Sequence, residues 1–280
     1  MQTELVEEFI HVLNLRGRSE TTIENYERFL KHFIAELDME VEDIEVRDIR
    51  RFLMKEQKER GNTKSTISTK VSIIKSFFSW LDDERLIEIN PASRIEKPKV
   101  KNTKRKYLTK EEIEEVREVI EKLIDRTLFE VLYSSGIRVS EAVALNWNNI
   151  NFNDKKLRVI NGKGGKNRIA PLSIKAIMLL KQYRESRNDA SEWVFQSNFK
   201  QRMSKESIER HMRLLGEEAD LESRLTPHRL RHSLATHVLN NGAPISVVSE
   251  ILGHAKVSTT QIYAKTSQEN IDYNYRRYQP

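Results

Sequence analysis

The sequence predicts a mainly α-helical protein of two domains, the second interrupted by a small antiparallel sheet of three strands. Three observations predict this. Apolar residues recur at three- and four-residue spacing through the first 85 residues. A basic, proline-bearing stretch over 91–107 then breaks the pattern. Beyond it the helical period returns and is interrupted once, between 150 and 170, by short runs separated by turn residues. A length of 280 residues fits two domains.

The elements follow in order. Leu5, Phe9 and Val12 mark a first helix, and Ile23, Tyr26, Phe29, Leu30 and Phe33 a second. Ile49, Phe52 and Leu53 mark a third, and Ile67, Val71, Ile74, Phe77 and Phe78, ending at Trp80-Leu81, a fourth. Four short helices with brief polar connections make a helical domain over 1–90. Asn90-Pro91 stops the pattern, so 91–107 is expected to be the linker and 108–280 the second domain. Thr109 is an N-cap with Glu112 as its capping-box partner. Arg138 is expected in a loop, with Ser140 capping the next helix and Glu141 in its first turn. Ile150–Phe152, Lys156–Ile160 and Arg168–Ala170 read as strands. A turn at Asn153-Asp154 joins the first two, and a loop with three glycines, 161–167, joins the last two. Helix resumes after Ser173 and again after Ser204, and Thr226-Pro227 is a helix start, N-cap then N1 proline. Gly253 can end a helix.

Composition narrows the function classes. The chain has no cysteine, which excludes disulfide scaffolds, Cys-ligated zinc, iron–sulfur clusters and thiol catalysis. No apolar run approaches the ~20 residues of a membrane span, and the N-terminus shows no secretory signal. Cytoplasmic residence is the expectation. The net charge is +6. The first ninety residues are net acidic, so the positive excess lies in the rest. The linker holds seven basic residues (Arg94, Lys97, Lys99, Lys101, Lys104, Arg105 and Lys106) against Glu96. That is either a solvated connection or a strap along a phosphate backbone. The fourth helix, without an acid from Arg60 to Leu81, carries Lys64, Lys70 and Lys75 among Ser65, Thr66, Ser68 and Thr69. Basic and hydroxyl side chains of this kind contact backbone phosphates; otherwise they solubilise a helix face.

The chemistry-bearing residues lie in the second domain. No Walker-A or dinucleotide-binding glycine motif is present, and no H-E-x-x-H. Lys163 stands between Gly162 and Gly164 at the tip of the glycine-containing loop, with Lys166 close behind. His228 and Arg231, three apart, share one helix face. His232, four beyond His228, invites a zinc reading, but Asp and Glu are absent from 224–248 to complete the site. Downstream come Leu252-Gly253-His254 and then Ser258 to Tyr263. Each residue alone reads as structural. Together, two arginines, two histidines, a lysine and a tyrosine in a basic chain form a set for metal-free attack on a phosphodiester. The arginines would neutralise the phosphorane, histidine and lysine would move protons, and tyrosine would be the nucleophile.

The ordered motifs resemble those of the tyrosine recombinases of the lambda-integrase class, most closely the Xer type. They are Ser135-Gly136-Ile137-Arg138-Val139-Ser140-Glu141, Gly162-Lys163-Gly164, Thr226-Pro227-His228-Arg229-Leu230-Arg231-His232-Ser233-Leu234-Ala235-Thr236-His237, and Leu252-Gly253-His254 with Thr259-Thr260-Gln261-Ile262-Tyr263. The resemblance covers nearly the whole chain and departs at none of the six catalytic positions.

The resemblance implies a SAM-like core-binding domain before a catalytic domain, the two forming a clamp on double-stranded DNA. It implies that Tyr263 forms a 3′-phosphotyrosyl link, that Arg138 and Arg231 bind the non-bridging oxygens, and that Lys163 is the general acid. His228 would assist proton transfer, His254 would support the phosphate, and Glu141 would steady the Arg138 region. Neither metal nor ATP would be required. Four copies would act on two DNA sites, the tail after Lys265 docking on a neighbour. Dimer resolution is the expected task; integration of a small mobile element shares the chemistry. A type IB topoisomerase-like enzyme and an inactive architectural DNA binder are further alternatives.

Overall fold

The computed structural model describes residues 2–99, 107–160, 167–197 and 199–253. The chain divides into two compact units, Met1–Lys104 and Arg105–Pro280.

The first unit holds α1 (Gln2–Leu15), α2 (Glu20–Leu37), α3 (Val46–Lys58) and α4 (Lys64–Asp83), with 3-10 turns at Val41–Asp43 and Pro91–Arg94. Each helix forms because one face is apolar at the helical period. In α1 that face is Val6, Phe9, Ile10 and Leu13, all buried. Local chemistry fixes the starts. A capping box between Glu45 and Asp48 opens α3, and the Thr63 hydroxyl accepts from the Thr66 N–H at 3.2 Å to open α4. The core is aromatic: Phe9, Phe33, Phe77 and Phe78 are fully buried, and Phe33 meets Phe52 edge to face at 4.9 Å.

The expected linker begins later than residue 91. Asn90 caps the Pro91–Arg94 turn, its Oδ1 accepting from the Ala92 N–H at 3.0 Å, and Ala92 and Ile95 join the helical core. Pro91 breaks α-helix, yet its fixed φ suits the first position of this short turn.

The second unit runs α5 (Lys110–Val119), α6 (Leu123–Ser135), α7 (Val139–Val143), a 3-10 turn at Trp147–Asn149, β1 (Ile150–Asn151), β2 (Lys156–Val159), β3 (Arg168–Pro171), α8 (Ile174–Glu185), α9 (Lys205–Glu218), α10 (Pro227–Asn240) and α11 (Ile245–Leu252). The sheet is antiparallel in the order β1-β2-β3, with Leu157 opposite both Ile150 and Ala170. α6 packs on α8, α10 and β3, and α11 packs on α10 and β3. Leu128, Phe129 and Leu132 of α6 are wholly buried, so the helix is the unit's central element. Its C-terminal end is where the site forms.

Candidate active site

Three chain segments converge at the end of α6. Gly136, in the left-handed conformation, closes the helix with its N–H bonded to the Leu132 carbonyl. A Cβ there would sit 2.8 Å from Leu252 Cδ2 and 2.9 Å from Leu234 Cδ2, so α11 and α10 approach as closely as a glycine permits. Two residues on, Arg138 turns into α7. Arg138 itself is the N-cap, not Ser140: its backbone N–H donates to Glu141 Oε2 at 2.7 Å, and Ser140 lies inside the first turn. The competition was won by Glu141, whose carboxylate reaches back as a capping box.

The two arginines meet at the end of α11. Arg138 Nη1 donates to Glu141 Oε1 at 2.8 Å, and Nη2 to the Gly253 carbonyl at 3.4 Å. Arg231, on α10, donates from Nη1 to the Gly136 carbonyl and from Nη2 to the Leu252 carbonyl at 2.6 Å. The two guanidinium groups therefore address consecutive carbonyls, Leu252 and Gly253. These are the last residues before His254. Arg231 is 3% exposed, whereas the Arg138 side chain is 26% exposed.

α10 is anchored so as to hold this geometry. Thr226 caps it by accepting from the Arg229 N–H at 3.1 Å, with Pro227 at N1. His228 is exposed in the first turn, and Arg231 is one turn further in. The start of the second unit is strapped to the same helix: the Leu108 N–H donates to Ser233 Oγ at 2.8 Å, and Arg229 reaches Glu112 at 3.4 Å. Glu112 and Thr109 form the expected capping box of α5.

Glu141 is the electrostatic centre. Beyond Arg138 it receives a second arginine, Arg168 at the start of β3, whose Nη1 and Nη2 each donate to one carboxylate oxygen at 2.8 Å. Burial alone pushes the Glu141 carboxyl up; the hydrogen bonds from Arg168 and Arg138 outweigh it and hold the pKa down to about 2. No motif singles out Arg168, which the sequence offers only as the first residue of the third strand. A signal was present. Strand alternation puts Arg168 on the face of buried Ala170 and leaves Ile169, at 61% exposure, outside. A charged residue on the inward face calls for a partner.

Lys163, Lys166, His254, Tyr263, Lys104, Arg105, Lys106 and the tail after Lys265 lie outside the described residues. In the helical unit Lys64 is exposed. Lys75 donates to the Ser93 carbonyl at 3.3 Å. Lys70 is occupied within its own unit, bonded to the buried Glu56 carboxylate and 5.5 Å from the Phe29 ring centroid. His232 is buried at 5% exposure, so it does not share an open face with His228. No three His, Asp or Glu side chains gather as metal ligands among the described residues, and no described helix is long and apolar enough to cross a membrane.

Two arginines thus meet at one helix end, one of them oriented by a saturated carboxylate, and guanidinium groups are the planar forks that suit carboxylate and phosphate oxygens. Comparison with known proteins specifies the class. Residues 106–270 match the phage integrase family, and residues 5–88 match the phage integrase N-terminal SAM-like domain. The chain is 36% identical to tyrosine recombinase XerA of Pyrococcus furiosus over 278 residues, covering 97% of this chain and 92% of that one. It is 32% identical to tyrosine recombinase XerD of Listeria monocytogenes, covering 99% of each. A crystal structure of XerA recombinase aligns over 100% of this chain and 99% of that one, at a TM-score of 0.58 and 27% identity. A lambda integrase dimer bound to a COC′ core site aligns over 91% of this chain and 96% of that one, at a TM-score of 0.77 and 21% identity, a likeness of fold. The chain belongs to the phage integrase family and is a tyrosine site-specific recombinase.

Proposed function

We propose that this recombinase cleaves and rejoins double-stranded DNA through a 3′-phosphotyrosyl intermediate on Tyr263, and that its task is the resolution of chromosome or plasmid dimers in the cytoplasm. The observation that carries the reading is the convergence of Arg138 and Arg231 on the consecutive carbonyls of Leu252 and Gly253, at the point where the chain continues toward His254 and Tyr263. A scissile phosphate held there would have its non-bridging oxygens neutralised by two guanidinium groups, one of them already oriented.

The step balances without a cofactor. Tyr263 Oη attacks phosphorus and gives up its proton, with His228 assisting. The bond from phosphorus to the 5′ oxygen breaks, and that oxygen takes a proton from Lys163, leaving a 5′-hydroxyl. A 5′-hydroxyl from the partner duplex then attacks the phosphotyrosyl link and releases the tyrosine. The link keeps the phosphodiester energy, so neither ATP nor a metal enters. Two duplexes must exchange ends, which supports a tetramer on two sites; His254 supports the phosphate. Lys64, Lys75, Lys104, Arg105 and Lys106 supply backbone contacts. Similarity to Xer-named recombinases along nearly the whole chain favours dimer resolution over mobile-element integration.

The test uses a duplex enriched from random sequence by the full-length protein, nicked so that cleavage traps the intermediate, in EDTA. An adduct that survives SDS with the wild type and is absent with Tyr263→Phe is the expected result. An adduct that persists in Tyr263→Phe would remove Tyr263 from its role. Recombination between two such sites on one plasmid, yielding two circles, is expected for dimer resolution; relaxation without exchange would instead assign topoisomerase-like activity.

A further inference from the structure

Arg168 ties together the three elements that frame the site. Its Nη1 and Nη2 hold both oxygens of Glu141 at 2.8 Å, and its Nε donates to the Ile251 carbonyl at 3.2 Å. Its side chain is 10% exposed, and that of Glu141 is 6% exposed. Glu141 in turn accepts from the Arg138 backbone N–H and from Arg138 Nη1. Four charge-assisted or backbone bonds therefore saturate the carboxylate, two from each arginine. Among the described residues Arg138 directs two of its five guanidinium N–H groups, to Glu141 and Gly253. Arg168 has committed Nε, Nη1 and Nη2 inward. The stem of Arg168 also runs over Gly253: a Cβ on that residue would sit 2.4 Å from Arg168 Cδ. One arginine is presented and the other is the clamp.

We infer that Arg168 is a positioning residue for strand cleavage. Through Glu141 it fixes the rotamer in which Arg138 meets the scissile phosphate, and through Ile251 and Gly253 it fixes the end of α11 that leads to His254. Glu141 alone does not suffice for this. A carboxylate bound only by Arg138 is free to swing with it, whereas the planar Arg168 fork locks both oxygens from a different element. The consequence is specific: Arg168 touches no substrate, yet it sets how strongly the site senses the charge of one phosphate. The inference rests on Arg138 being a phosphate ligand, as proposed above.

The test compares Kd for the enriched duplex with a normal scissile phosphodiester and with each methylphosphonate diastereomer, in which a methyl group replaces one charged oxygen. All proteins carry Tyr263→Phe so that binding is read without cleavage. In the parent the neutral linkage should weaken binding about 10-fold or more for at least one diastereomer, the scale of one charge-assisted hydrogen bond. Arg168→Met should cut that discrimination to about 3-fold or less, and Arg168→Lys, which keeps the charge but not the fork, should fall between. A loss of folding alone lowers the active fraction and leaves the ratio unchanged, so the ratio separates positioning from stability. If Arg168→Met does not fold, Arg168→Lys still decides. Discrimination equal to the parent's in the folded variants would overturn the role of Arg168. A parent ratio near one would instead remove Arg138 as the phosphate ligand.

Discussion

Two buried carboxylates, Glu56 in the helical unit and Glu141 in the second, each gather basic side chains, and the two clusters differ in what those side chains address. In the helical unit Glu56, 2% exposed, takes His32 at 3.0 Å, Arg60 at 3.3 Å, Asn62 at 2.8 Å and Lys70. In the second unit Glu141 takes two arginines, Arg138 and Arg168. The first cluster gathers α2, α3, α4 and the turn before α4. Its side chains turn to acids of their own unit: the Lys70 ammonium, 17% exposed, points at Glu56, and Arg60, 50% exposed, lies between Glu56 and Glu36. The second cluster keeps its acid and one arginine inside, with the other arginine 26% exposed. Exposure does not separate them; direction does, since Arg138 reaches past its acid to the Gly253 carbonyl, beside the Leu252 carbonyl that Arg231 holds.

The largest effect separates the two. Removing either acid leaves buried cations without a counter-charge, a change that typically costs about 3–5 kcal/mol. Glu56→Ala and Glu141→Ala are each expected to destabilise their own unit on that scale, read by hydrogen exchange of the amides in α3 and α6. They should then diverge. The folded fraction of Glu56→Ala should form the covalent adduct within about 3-fold of wild type, while Glu141→Ala should lose adduct formation by about 100-fold or more, the scale of an oriented electrostatic contact. Equal losses of cleavage would break the contrast.

Acid should discriminate next. The Glu141 pKa falls from 4.5 to about 2 on folding, so the folded state binds fewer protons. Its contribution, about 3 kcal/mol by linkage, is complete above pH 4.5 and is lost as pH drops from 4.5 toward 2. Glu141→Gln should flatten that limb. A gentler loss starts higher. His32 and His237 both have pKa values held below 6.5, chiefly by burial, so each resists protonation in the fold and lowers stability as pH falls below 6.5. One such histidine lies in each unit, so the descent below 6.5 should appear in both, and the Glu141 limb only in the second. A stability curve for the second unit that Glu141→Gln leaves unchanged between pH 4.5 and 2 would contradict this.

A third variant probes how tightly the site is packed. Gly253 has φ +63° and Arg168 directly over it; Gly61, in the helical unit, has the same φ and nothing within 4 Å. Alanine at either position costs about 1–2 kcal/mol for the left-handed backbone. Only Gly253→Ala must also displace Arg168, so it should lose adduct formation at least 10-fold, the scale of one misdirected charge-assisted bond, while Gly61→Ala should not. Similar cleavage by both would show that the Arg168 stem is free to shift.

Local signals read true in the sequence. Helical periodicity located α1 to α4, and the Thr109, Ser204 and Thr226 caps were legible because a cap uses residues within one turn. Motif order pointed to Arg138, Glu141 and Arg231, which the fold brings together. What escaped was long-range. Arg168 pairs with Glu141 across 27 positions, and Lys70 with Glu56 across 14, so no local rule couples them. The boundary at 90 failed for a related reason: Asn90-Pro91 does end α-helical geometry, but Ala92 and Ile95 still find the core. Ser140 lost the cap because a capping box needs its acid three residues on, and Arg138 has Glu141 there.

The smallest effect concerns the lysines of α4, which look equivalent in sequence. Lys64 is exposed at the first turn, whereas Lys70 is held by Glu56 and beside Phe29. A lysine that neutralises one DNA phosphate releases about one counter-ion, so its loss lowers the slope of log K against log salt by about 0.9. Lys64→Ala should lower the slope by about that amount without touching stability. Lys70→Met should leave the slope unchanged and weaken the helical unit, because it strips a cation from the buried Glu56. Measured by anisotropy from 50 to 200 mM salt, on the scale over which such contacts separate, Lys70→Met would lower the slope as Lys64→Ala does if DNA drew Lys70 away from Glu56. That result would mean the helical unit's cluster opens on binding.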